Sequence, residues 1–182
     1  MSKLKIVSIQ KTENYSKSEI TNTLKKLSVL AEKCQRFGKD ENNNIVYTNK
    51  GVAGAYYLDG KTIITNGFWG IAINELIEDL KMAQSENHFD LYNVIATSNI
   101  ASEEWEKIFV DMRKLKQIIE ENPSKTMKFG SLHFPVEQVY TIAKCIENKS
   151  IFVHKTELKP MIIKGTNGIG LVMPMKPEFV SK

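Results

Sequence analysis

The sequence predicts an α+β fold in which one strand–helix–strands unit occurs twice. A shared phrase is the first sign. Lys61-Thr62-Ile63-Ile64-Thr65-Asn66-Gly67-Phe68-Trp69-Gly70-Ile71 in the first half is echoed by Met161-Ile162-Ile163-Lys164-Gly165-Thr166-Asn167-Gly168-Ile169-Gly170-Leu171 in the second. Each is an apolar run, then Thr-Asn-Gly, then another apolar run, and Asn-Gly accepts the positive φ that tight hairpin turns demand. An amphipathic helical pattern precedes each phrase and carries a cysteine near its end, Cys34 and Cys145. A repeat of this kind constrains architecture more than any single motif. It divides the chain into halves of approximately 1–74 and 126–176, with a helical insertion of approximately 75–125 between them, all in one domain.

Taken in order, residues 3–9 alternate as a strand. Ser16 with Glu19 forms a capping box for a helix that runs to about Phe37 and stops at Gly38. Its buried stripe is Ile20, Leu24, Leu27, Ala31 and Cys34, spaced at three and four. A polar turn at 39–44 leads to strands at 45–49, 53–58 and 61–64, the last two joined by Asp59-Gly60, and a further strand at 68–73. In the insertion, 75–83 reads as a short helix, 91–97 as a strand or irregular segment, and 103–121 as a helix. That last helix is capped by Ser102 and has Trp105, Ile108, Phe109, Met112, Leu115 and Ile119 on its apolar face. The second half reads as a strand at 127–134, a helix opening at Pro135, and strands at 150–154, 158–164 and 169–175. Val136, Val139, Tyr140, Ala143 and Ile146 line the buried side of that helix.

Size and composition bound the function. A chain of 182 residues supports one sizeable core. No apolar run approaches the length of a membrane span, and the N-terminal stretch lacks the apolar core of a secretory signal. Two cysteines, both on expected helices, read as free buried thiols, which points to the cytoplasm. A net charge of +4 permits a nucleic-acid partner without requiring one. The histidines His88, His133 and His154 have no metal-ligand spacing to either cysteine. Gly165, Gly168 and Gly170 precede a strand, so they are turn glycines and do not form a dinucleotide loop. Neither a nucleophile elbow nor a carboxylate pair stands out. The expectation is therefore a protein that is not an enzyme and holds no cofactor or metal.

The duplicated unit, the Thr-Asn-Gly phrases and the ending Leu171-Val172-Met173-Pro174-Met175-Lys176 together resemble one domain of the bacterial DNA sliding clamp family. That resemblance implies a DNA-clamp-like domain with two helices side by side on a DNA-facing surface and sheets outside. It also implies an apolar pocket that captures short peptides of replication or repair proteins. The matching pocket residues are Thr65, Gly67, Phe68 and Trp69 with Val172, Met173, Pro174 and Met175. Asn66 stands where the family has aspartate, and Phe68-Trp69 stands where it has His-Arg. In the family the two pocket phrases belong to neighbouring domains, so here they are expected to meet across a subunit boundary. A ring would require a homo-oligomer, and a chain of this size suits a phage or mobile element.

Lys25, Lys26, Lys33 and Arg36 fall on the outer side of the first helix, with Glu32 the only acid near them in sequence. Lys144 and Lys149 belong to the second helical region. Basic side chains on such a face contact duplex phosphates without reading sequence, which suits sliding. The alternative is an ordinary solvated helix face, and Glu137 and Glu147 dilute it. For Met173-Pro174-Met175 the alternative to an adaptable peptide pocket is a strand end packed in the core. The functional expectation is a replication or processivity accessory protein. A clamp-fold interaction module without a ring, a clamp mimic or an inhibitor of a host nuclease or polymerase presenting Trp105 and Phe109, is the second reading, and an unrecognised enzyme is a third.

Overall fold

The computed structural model describes residues 15–34, 37–39, 41–42, 45–47, 53–83, 91–155 and 158–175. The expected strand at 3–9, Arg36, the expected loop at 85–88 that includes His88, and Lys176 onward lie outside these residues. The fold is mixed α and β, with a large antiparallel sheet and, among the described residues, four helices. Helix α1 (Lys17–Lys33) begins as its sequence demands. Ser16 Oγ accepts from the Glu19 backbone N–H at 3.2 Å, and the Ser16 N–H donates to the Glu19 carboxylate at 2.9 Å. Its core stripe is Ile20, Leu24, Leu27 and Ala31, all buried.

The end of α1 differs from expectation. Cys34 is the C-cap and is exposed. Phe37 and Gly38 belong to β1 (Phe37–Lys39), which pairs with β2 (Ile45–Tyr47) in a separate hairpin. Cross-strand pairing takes this segment out of the helix, so Gly38 terminates nothing.

Among the described residues the main sheet contains seven strands in the order β3 (Gly54–Leu58), β4 (Lys61–Thr65), β5 (Trp69–Ile73), β11 (Gly168–Val172), β10 (Met161–Lys164), β9 (Ser150–His154) and β6 (Trp105–Ile108). Neighbours are antiparallel throughout. Three consecutive strands from the first part of the chain lie beside three from the end, and β5 and β11 join them. Ile71 sits opposite Gly170 at the middle of that junction. Helix α4 (Val136–Cys145) crosses above it. A Cβ on Gly170 would run into the Ile142 side chain, so this glycine lets the helix approach the sheet closely.

Helices α1 and α4 share one face of the sheet and touch each other, and their apolar stripes form one core with Ile64, Ile71, Ile73, Ile151 and Ile163. The Tyr15 and Tyr140 hydroxyls lie 3.5 Å apart across this helix pair. Helix α3 (Met112–Glu121) packs beside α4 and adds Leu115 to the same core. On the opposite face Tyr56, Ile63, Ala72, Ile169 and Leu171 form a smaller cluster closed by α2 (Leu91–Thr97) through Leu91, Val94 and Ile95.

The segment between the two sets of strands departs most from expectation. Residues 75–83 are not a helix. They run along the flank of α1, with Lys17–Glu75 at 2.9 Å, Lys25–Asp79 at 3.2 Å and the Lys81 N–H on Ser28 Oγ at 3.1 Å. They finish against β3, where the Ala83 N–H reaches the Ala55 carbonyl at 2.6 Å. Backbone groups of Glu75, Ile77, Lys81 and Ala83 thus find partners on existing elements, which competes with helix formation.

Residues 91–97 are a helix rather than a strand. Residues 103–121 are not one helix: Trp105–Ile108 is the edge strand β6 on β9, and the helix begins only at Met112. Its N-cap is Asp111, whose carboxylate accepts from the Arg113 and Lys114 N–H groups at 3.0 and 3.3 Å. Likewise 127–134 is a hairpin of β7 (Thr126–Phe129) and β8 (Leu132–Pro135), turned at Gly130 with φ 56°. The last strand ends at Val172, before Met173.

Candidate functional site

The two Thr-Asn-Gly phrases occupy the same kind of hairpin, two residues out of step. In the β4–β5 turn the Asn66 N–H donates to the Trp69 carbonyl, whereas in the β10–β11 turn it is the Gly165 N–H that donates to Gly168. Asn66 therefore corresponds to Gly165, and Asn167 to Phe68. Their side chains do different work. Asn66 Oδ1 accepts from the Phe68 and Trp69 N–H groups at 2.9 and 3.0 Å and folds its own turn. Asn167 reaches across to the end of α4, accepting from Glu147 N–H at 2.8 Å and donating to the Cys145 carbonyl at 3.0 Å.

This turn geometry builds the first part of the site. Thr65 is buried and its hydroxyl donates to the Trp69 carbonyl at 2.7 Å while accepting from the Gly67 N–H at 3.1 Å. The turn is held on both sides, and Phe68 at its tip is left 67% exposed. Trp69 points inward and is buried. Opposite Trp69 lies Val172, also buried. The chain then leaves the sheet. The Met173 N–H donates to the Phe68 carbonyl at 2.8 Å, and the Met175 N–H donates to the His133 carbonyl on β8 at 2.7 Å.

The two phrases thus meet within one chain, side by side on β5 and β11, and no subunit boundary is needed to join them. Thr65, Trp69 and Val172 hold the arrangement from within. Gly67 and Phe68 are exposed, and Met173, Pro174 and Met175 are half-buried. Only this second group has surface to offer a partner. A large exposed aromatic beside adaptable methionines has the chemistry to accept apolar side chains.

The expected basic face is less uniform. Lys26 and Lys33 are exposed on α1. Lys25 is half-buried and paired with Asp79, an acid brought in from far along the chain, so Glu32 is not the only acid nearby. Glu32 itself faces Lys81 at 3.5 Å. Lys144 of α4 lies 4.8 Å over the Tyr15 ring. Lys149 is half-buried in the link from α4 to β9.

The Ser16 hydrogen bonds hold the Glu19 carboxyl below the usual glutamate range, and Lys144 and Lys116 act in the same direction from α4 and α3. The three helices therefore converge near the start of α1. Sequence reasoning missed α3 as part of this face. Lys114 and Lys116 are exposed there, and Asp111 as N-cap was the signal that could have placed them. Val29 and Leu30, 42% and 52% exposed, interrupt the basic side chains of α1. In the insertion, Trp105 is buried with its ring edge-to-face against His154 at 5.2 Å, so of the two aromatics expected to face a partner only Phe109 is exposed.

The cysteines differ sharply. Burial pushes the Cys145 thiol up to about 12 despite Lys144 and Lys149 nearby. At neutral pH its thiolate fraction is on the order of 10⁻⁵, and the thiolate is the reactive form. Cys34 is exposed at the end of α1, with the Asn66 amide 3.7 Å from its sulfur. Maleimide added to the native chain at neutral pH is expected to modify Cys34 alone, and mass spectrometry should find Cys145 labelled only after denaturation. Equal labelling of both in the native state would contradict this packing.

Among the described residues no group of His, Cys, Asp and Glu is arranged to hold a metal ion, and no helix is long and apolar enough to cross a membrane. The chain matches no protein-family model, no curated protein and no solved structure.

Proposed function

We propose that this chain is a clamp-like accessory protein of DNA replication that docks short apolar peptides of other replication or repair proteins. The observation that carries the reading is the pairing of Trp69 with Val172, which brings exposed Phe68 next to half-buried Met173, with Pro174 and Met175 following along the chain. The order of the sheet, three early strands against three late ones with α1 and α4 on one face, supports an ancestral duplication of the clamp kind. The work is adhesive and catalyses no reaction. Binding of short labelled peptides containing Leu and Phe tests it, with the Phe68→Ser variant as the control. If the unaltered chain binds none of them, the docking reading is wrong.

A second reading, duplex DNA on the helical face, is favoured by the exposed lysines of α1 and α3, two helices that both pack against α4. Reversing Lys26 and Lys33 to Glu should weaken duplex binding and flatten its salt dependence, each lost phosphate contact lowering the slope by about one. An unchanged slope would remove DNA from this face. A ring would also need several copies of the chain, so a monomer by solution mass measurement leaves an interaction module that does not encircle anything.

A further inference from the structure

We infer that the outward stripe of α1 extends the Phe68 surface and that the extended site takes an acidic, apolar peptide segment of a protein partner. The inference rests on the docking reading above and names the partner chemistry for that same site. On a helix surface residues three and four apart are neighbours. Leu30 is therefore bracketed by Lys26 and Lys33 and continues into Cys34. Cys34 in turn meets the Asn66 side chain, and Asn66 opens the turn that presents Phe68. Helix spacing and these two contacts thus link Lys26, Leu30, Cys34, Asn66 and Phe68 in sequence.

The side chains that α1 itself contributes to this stripe carry charge of one sign. The acids of α1 are directed elsewhere: Glu19 closes the capping box with Ser16, and Glu32 faces Lys81. Lys26 and Lys33 remain exposed on either side of Leu30.

Two apolar anchors, Leu30 set between lysines and Phe68 beyond them, suit one class of ligand better than another. A phosphate backbone would engage the lysines but cover Leu30 and Phe68 with charge, gaining nothing from their burial. An acidic amphipathic segment buries both anchors and places its carboxylates against the lysines. The anchors would supply most of the affinity, and the rim charges the steering and selectivity.

The test uses the full chain and three labelled probes. One is a short peptide with Leu and Phe at helical spacing among Asp and Glu. The second carries Lys in place of every acid. The third is a short DNA duplex. The acidic peptide is expected to bind and the basic one to bind far more weakly. Leu30→Ser should weaken the acidic peptide by about tenfold or more, and the Lys26→Glu, Lys33→Glu double variant should reverse the charge preference. All three positions are exposed, so thermal melting should barely move.

Equal binding of both peptides, unaffected by the α1 variants but lost in Phe68→Ser, would overturn this inference while the docking reading stands. Failure of both peptides would end both. Duplex binding without peptide binding would make the stripe a phosphate surface and overturn it as well.

Discussion

Ile71→Ala is expected to cost about 2–5 kcal/mol, in the upper part of that range. Ile71 is fully buried at the junction of the two sets of strands. Its partner across the pair is Gly170, which has no side chain to relax into the cavity. Its other cross-strand partner, Ile64 on β4, is itself fully buried in the common core. For a chain of this length the melting midpoint should fall by on the order of 10 °C.

A cycle with Gly170→Ala sharpens the test. That methyl group meets Ile142 in the unaltered core, so alone it overpacks, by about 1–3 kcal/mol. With Ile71 truncated, Ile142 gains room to shift. The two changes should therefore couple favourably, by about 0.5–3 kcal/mol. Strict additivity in denaturant melts would mean that β5, β11 and α4 do not share the close packing described here.

Phe68→Ser is expected to weaken peptide docking at least about thirtyfold, the loss of an anchor worth about 2 kcal/mol. Stability should change by no more than about 0.5 kcal/mol, because the side chain is already mostly in water and its turn is held by backbone and Asn66 contacts. Trp69→Ala makes the useful contrast. Trp69 is buried beside Val172, so its truncation should cost about 3–5 kcal/mol of stability. Binding loss with full stability in the Phe68 variant points to a contact surface. Equal destabilisation by both would mean that Phe68 is part of the core, and the proposed surface would be lost.

Much of this architecture can be read before any coordinates exist. The start of α1 follows from Ser16 and Glu19, and its buried face from Ile20, Leu24, Leu27 and Ala31. The β3–β4 hairpin follows from Asp59-Gly60, where Asp59 takes φ 49° and Gly60 φ 74°. The helix after Pro135 follows from its own spacing. These are signals carried within a few residues, where backbone preference and side-chain chemistry act directly.

What the tertiary structure alone decided was the partner of each segment. Trp105–Ile108 continues a helical apolar pattern into Leu115, yet β9 offers an edge whose backbone groups need partners, and the segment becomes a strand. Glu75–Ala83 has helix-forming residues, yet contacts to α1 and β3 hold it in an irregular path. Asn66 and Asn167 sit in identical phrases, but one satisfies its own turn and the other the end of a helix brought near by folding. The Phe68 surface belongs to this second class. Residues 65–69 and 172–175 are ordinary strand ends in sequence, and they become one surface because β5 and β11 pair. Local chemistry determines which conformations a segment can take. Which of them it keeps is settled by the unsatisfied hydrogen bonds and apolar surface of distant elements, and those have no signature in the segment itself.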